Sequence, residues 1–185
     1  MKSQITQKER FRVCLHESAH VVLWLKRTSS LLRPMVKAVV YENGNGQAHS
    51  TGSLSDFSYA IIRAAGAHAE RLSKTYPTPK RQSAQPTEKQ ISSEKRIAPA
   101  IGKIIKQSFS SDIYKLKIDS QVVAEFCITL YPDKPKEWVR RHRRINAIAR
   151  HETWLYREEI VNIAKKLYQD SVYYAPAEKD PHVQT

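Results

Sequence analysis

The sequence predicts a mainly α-helical α+β domain that carries a small β-hairpin. Three observations point there. Thr6-Gln7-Lys8-Glu9 has capping-box spacing and opens an apolar-striped segment, a β-branched run at 35–41 precedes two glycine turn signals, and helical apolar spacing fills the second half. The 185 residues suit one domain, and a hydrophobic content of 41% is too high for a wholly disordered chain.

In a capping box the Thr6 and Glu9 side chains satisfy backbone amides left free at a helix start. The helix is expected to run to about Leu25 with Phe11, Cys14, Leu15, Val22 and Leu25 as its stripe, and Pro34 bars its continuation. Met35 to Tyr41 reads as a strand, Asn43-Gly44-Asn45-Gly46 as a turn, and Gln47 to Ser50 as the returning strand. Ser53 or Ser55 then caps a helix from about Leu54 to Lys74, with Phe57, Ile61, Ala64, Ala65, His68 and Leu72 on one face.

Residues 77–96 hold three prolines and almost no large apolar group, so little burial would offset the entropy of ordering them. They place a flexible insertion over 77–103 inside a single domain spanning 1–174. Ile97 to Gln107 reads as a short broken helix, and Ser110 or Ser111 as the cap of a helix from about Asp112 to Leu130. After the break at Pro132 and Pro135, one long helix or two stacked ones reach about Gln169. Their buried positions are expected to be Trp138, Ile145, Ile148, Trp154, Leu155, Ile160, Ile163, Ala164 and Leu167. Residues 175–185 read as a disordered tail.

No apolar run approaches the roughly 20 residues of a membrane-spanning helix, and the polar N-terminus lacks a signal peptide's apolar core. The expected setting is therefore soluble and cytoplasmic. The two cysteines, Cys14 and Cys127, lie in apolar surroundings and read as core residues. The net charge of +13 is concentrated at 80–106 and in the run RRHRR at 140–144. Such an excess is compatible with nucleic acid, an anionic membrane surface or acidic substrates, and more commonly marks a solvated face.

His16-Glu17-Ser18-Ala19-His20 fits H-E-x-x-H on the first helix. Four residues advance a helix by just over one turn, so both imidazoles leave one face and can share a metal ion. Imidazole nitrogen suits zinc, and a catalytic zinc keeps three protein ligands plus water. Glu17 sits about 100° round the helix from His16. It can reach that water as general base without occupying the metal. Chance pairs of histidines occur on surface helices, but this motif is flanked by Leu15 and the run Val21 to Leu25. Ionisable groups buried there need partners or a metal. The metzincin extension fails, because Leu23 and Lys26 stand where a glycine and a histidine are required. Glu70 is an alternative third ligand; Glu42 has nearly the right spacing but falls at a strand end.

The segment LHESAHVV resembles the LHEAGHAV segment of the FtsH-type ATP-dependent zinc proteases. The likeness continues in order through Pro34 to Tyr41, the glycine turn, Ala65-Gly66-Ala67-His68-Ala69-Glu70 against GGRAAE, and Ser110-Ser111-Asp112-Ile113 against S-x-D-[LI]. Trp138 to Leu167 is similar to the family's long C-terminal helices. The resemblance implies a zincin-like domain with His16, His20 and Asp112 as zinc ligands and Glu17 as the base. It leaves Glu70 as a packing or supporting group and His68 as a core histidine. It further implies peptide or unfolded-protein substrates, bound by strand addition at Val36 to Tyr41. Ser18-Ala19 replaces Ala-Gly, and Ala67 replaces an arginine. No Walker A sequence is present, since Gly102-Lys103 lacks the upstream glycine and the hydroxyl residue. An unfolding ATPase would have to be a separate partner, and the oligomeric state is open. Two rivals remain: a metal-stabilised, non-catalytic binding protein using its basic surface for nucleic acid, and a zinc hydrolase acting on a non-peptide amide.

Overall fold

The computed structural model describes residues 5–28, 36–51, 53–79 and 118–175. Its first helix, α1 (Gln7–Arg27), starts where the capping box predicts. Glu9 N–H donates to Thr6 Oγ1 at 3.1 Å and Thr6 N–H donates to Glu9 Oε2 at 3.0 Å. A cap of this kind stabilises a helix by about 1 kcal/mol. The hairpin follows as β1 (Val36–Val40) and β2 (Gly46–Ser50), paired antiparallel with Val36 opposite Ser50 and Val40 opposite Gly46. Gly44 takes φ +83° in the turn, a conformation that favours glycine. Ser55 caps α2 (Asp56–Ala69), which tightens into a 3₁₀ turn over Glu70–Lys74.

The later elements are α3 (Ile118–Leu130), α4 (Pro135–Leu155), α5 (Arg157–Asp170) and β3 (Val172–Tyr174). The molecule is thus mainly helical with one three-stranded antiparallel sheet in the order β2-β1-β3. Strand β3 is not anticipated by the sequence reading. It is only three residues long and is entered through Ser171, whose φ of 64° turns the chain back from α5. It takes the second edge of β1, with Val39 opposite Val172 and Lys37 opposite Tyr174. Ala175 N–H extends this contact to Val36 O at 2.9 Å. With both edges of β1 paired, Val36 to Tyr41 cannot accept a substrate strand, which corrects that expectation.

Helix α1 is the centre of the fold. Phe11, Cys14, Leu15, Ala19, Val21 and Leu23 are fully buried, so it is covered on nearly every side. It contacts α2 and α5 and also the hairpin. Phe11 meets Tyr168 of α5 edge-on at 5.9 Å. Helix α2 runs antiparallel to it: Arg27 bonds Ser58, His20 bonds Ile62 and Arg12 bonds Glu70. Both cysteines are buried and outside any disulfide, as expected.

The C-terminal helical segment is two helices that part at Tyr156. Helix α4 buries Trp138, His142, Ile145, Ala149 and Thr153, a single stripe at spacings of three and four. Trp154 and Leu155 lie one and two positions past that stripe and are each 56% exposed, contrary to expectation. The same geometry divides the basic run: Arg140, Arg143 and Arg144 are exposed, while His142 is buried. Among the described residues no helix is long and apolar enough to cross a membrane. The expected helix at 97–107, the cap at Ser110 or Ser111, most of the 77–103 insertion and the tail from 176 lie outside the described residues.

His142 makes stability pH-dependent. Burial, together with nearby Arg143 and His68, pushes its imidazole down from 6.5 to about 4. Nε2 accepts from Asn146 Nδ2 at 3.1 Å, which favours the neutral ring. The unfolded chain therefore binds this proton at higher pH than the folded one, and stability falls as pH drops from 6.5 towards 4. The loss is at most about 3 kcal/mol. Urea denaturation of wild type and H142Q at pH 7, 5.5 and 4 should show a shallower acid loss in the variant. Parallel curves would refute the assignment.

Candidate metal centre

His16 and His20 stand one turn apart on α1 with ring centroids separated by 4.8 Å. Each ring is oriented from behind by α2. His20 Nδ1–H donates to the Ile62 carbonyl at 2.9 Å, and His16 Nδ1–H donates to Glu70 Oε1 at 2.9 Å. These bonds leave both Nε2 atoms pointing forward, and such partners commonly fix metal-binding imidazoles. Asp119, in the first turn of α3, faces them. Its Oδ2 lies 2.7 Å from His16 Nε2 and 3.5 Å from His20 Nε2. Its Oδ1 accepts from Arg63 Nη2 at 2.7 Å.

The ligand atoms of His16, His20 and Asp119 all lie within 4.8 Å of one another, close enough to hold a metal ion. Two imidazoles and one carboxylate oxygen suit a divalent first-row ion. Close packing preserves the geometry. A Cβ at Gly66 of α2 would lie 2.4 Å from His16 Nε2, so a side chain there would displace the ring. A Cβ at Gly46 would lie 2.5 Å from Glu17 Cγ. Gly46, expected only as a turn residue, also leaves room for the carboxylate.

The electrostatics tie the groups together. Burial opposes a charge on His16, but hydrogen bonds to Asp119 and Glu70 outweigh it and push the imidazole up to about 10. Burial would also raise Asp119, yet His16 and His20 hold it well below the usual carboxylate range. Burial raises Glu17, and the two imidazoles pull it partly back. A proton and a metal ion therefore compete for Nε2 of His16.

The structure brings His16, Glu17 and His20 together as the motif predicts. Asp112 lies outside the described residues, and the carboxylate found opposite the imidazoles is that of Asp119. Glu70 supports His16 from behind and also pairs with Arg12 Nη2 at 2.7 Å. His68 turns towards α4, where Nε2–H donates to Asn146 Oδ1 at 3.2 Å, in keeping with a core histidine. Arg63, which anchors Asp119, was not singled out from the sequence; as a cation within an apolar stretch of α2 it carried a usable signal. No model of a known protein family matches this chain, and neither a curated protein nor a solved structure does.

Zinc titration against a chromophoric chelator separates the ligand assignments. D119A should weaken zinc binding by more than the roughly 10–100-fold expected for E70Q, which loses only a supporting charge. D112A should bind within about twofold of wild type. Retention of affinity in D119A with its loss in D112A would reverse the assignment.

Proposed function

We propose that this chain is a zinc-dependent metallopeptidase with a zincin-like site. The observation that supports it best is the convergence of His16, His20 and Asp119 with Glu17, one residue along the same buried helix. Zinc, when bound by these three residues, supplies a Lewis acid that lowers the pKa of water and polarises a carbonyl. Glu17 takes the proton from the attacking water as its oxygen adds to the peptide carbonyl carbon. It then returns the proton to the amine as the C–N bond breaks. Burial makes its carboxylate a stronger base than in water, which suits that exchange. Glu70 and the Ile62 carbonyl hold the two imidazoles in place throughout.

Strand β2 is the better candidate for holding an extended substrate. It lies at the edge of the sheet, next to the helix that carries the motif. Substrates would be flexible peptides or unfolded segments, because pairing there needs an extended backbone.

A second reading rests on the exposed arginines of α4, Arg140, Arg143, Arg144 and Arg150. There the metal would stabilise a nucleic-acid-binding protein that cuts nothing. Salt-sensitive RNA or DNA binding without peptide cleavage would favour it.

E17Q should bind one zinc per chain and lose peptide hydrolysis by about 10²–10⁴-fold, the usual contribution of a general base. Wild-type turnover in a zinc-loaded E17Q would exclude the mechanism.

A further inference from the structure

Beside His20, between α1, α2 and β2, lies a cavity of about 270 Å³. Its walls include Trp24, Ser50, Tyr59 and Arg63, and among the described residues no carboxylate lines it. The Arg63 guanidinium is the permanent charge among the lining groups. One of its nitrogens, Nη2, is engaged by Asp119 at 2.7 Å, and its Cζ lies 5.9 Å from the Tyr59 ring centroid. The Glu17 carboxylate also feels its charge. Arg63 Nε and Trp24 Nε1 are enclosed N–H donors without an acceptor. Both atoms belong to residues of the cavity wall but are themselves enclosed, so it is the rest of the Arg63 guanidinium that can meet an entering group. Trp24 meets Tyr59 edge-on at 6.1 Å, giving an apolar wall against which methylene groups can pack.

We propose that this cavity receives an acidic side chain of the substrate, with Arg63 as the specificity-determining residue. This rests on the peptidase reading above and names the substrate class for the same site. A glutamate side chain matches the lining: its methylenes lie along Trp24 and Tyr59 while its carboxylate meets the guanidinium. A planar guanidinium can serve two carboxylates at once, Asp119 through one nitrogen and the substrate through the other. Ala48, His49 and Ser50 of β2 line the same cavity, so a peptide paired along that edge strand passes directly beside it.

The test uses the zinc-loaded full chain and peptide sets that differ only by Glu or Gln at each position around the scissile bond. At one position Glu should raise kcat/KM by about tenfold or more over Gln. R63Q also removes the anchor of Asp119, so it is assayed at saturating zinc, where it should reduce that ratio to about twofold or less. S50D, which leaves the Arg63–Asp119 pair untouched, places a competing carboxylate in the cavity and should also erode the ratio. It decides the matter should R63Q lose zinc. A ratio near one at every position in an active enzyme overturns the proposal and leaves the peptidase reading intact. If no peptide is cut, the peptidase reading fails, and a nitrogen-15 titration with N-acetyl-glutamyl amide and its glutaminyl counterpart decides the cavity alone. Shifts of the Trp24 Nε1–H and Arg63 Nε–H signals with the glutamyl compound only support recognition of the acid. Equal shifts, or none, overturn it.

Discussion

His16 donates through both ring nitrogens to carboxylates from two other helical segments, Glu70 at the end of α2 and Asp119 at the start of α3. Around this imidazole the surrounding structure is organised. Helix α1 is buried on nearly all sides, so an ionisable group in its middle must be partnered or it costs several kcal/mol. Meeting that demand ties together elements that are far apart in the chain. The apolar core would hold α1, α2 and α3 in contact in many rotational settings; the His16 bonds select one of them.

Helix α2 does most of the positioning, and its spacing explains how. Ile62, Gly66 and Glu70 recur every four residues and so follow one side of the helix along the antiparallel α1. Each meets the motif differently: a backbone carbonyl behind His20, an absent side chain against His16, and a carboxylate behind His16. Arg63, one residue after Ile62, reaches round to Asp119. Ser18 and Ala19 within the motif are both fully buried small residues.

Local signals carried far in this sequence. The capping box and the hairpin turn each depend on residues within a few positions and are found where the spacing puts them, whereas α1 is buried well beyond its expected stripe and leaves Leu25 exposed. Strand β3 was illegible because three residues have no period, and its pairing with β1 is settled by tertiary contacts. The third carboxylate shows a subtler limit. Asp112 and Asp119 are seven residues apart, about 20° short of two helical turns, so on a continuous helix they would share a face. Periodicity cannot choose between them; the described residues place Asp119 at the imidazoles, and Asp112 lies outside them. Trp154 and Leu155 failed for a related reason, since the stripe of α4 is narrower than its apolar composition suggests.

Charge around the motif is balanced only when a proton or a cation sits among its carboxylates. The close groups are three carboxylates, Glu17, Glu70 and Asp119, against two guanidinium groups, Arg12 and Arg63. The excess negative charge is balanced by a proton shared between His16 and its carboxylate partners, which is why that imidazole is pushed up to about 10. A divalent cation that takes the place of the proton brings one positive charge more than it displaces. The surplus would fall beside His20 and Arg63, at the wall of a cavity that no carboxylate lines among the described residues. In a water-poor site such an imbalance is costly until an anion enters. On the proposed reading, filling the centre with metal and admitting an acidic group to the adjoining cavity would be thermodynamically linked, each favouring the other through the same electrostatic field.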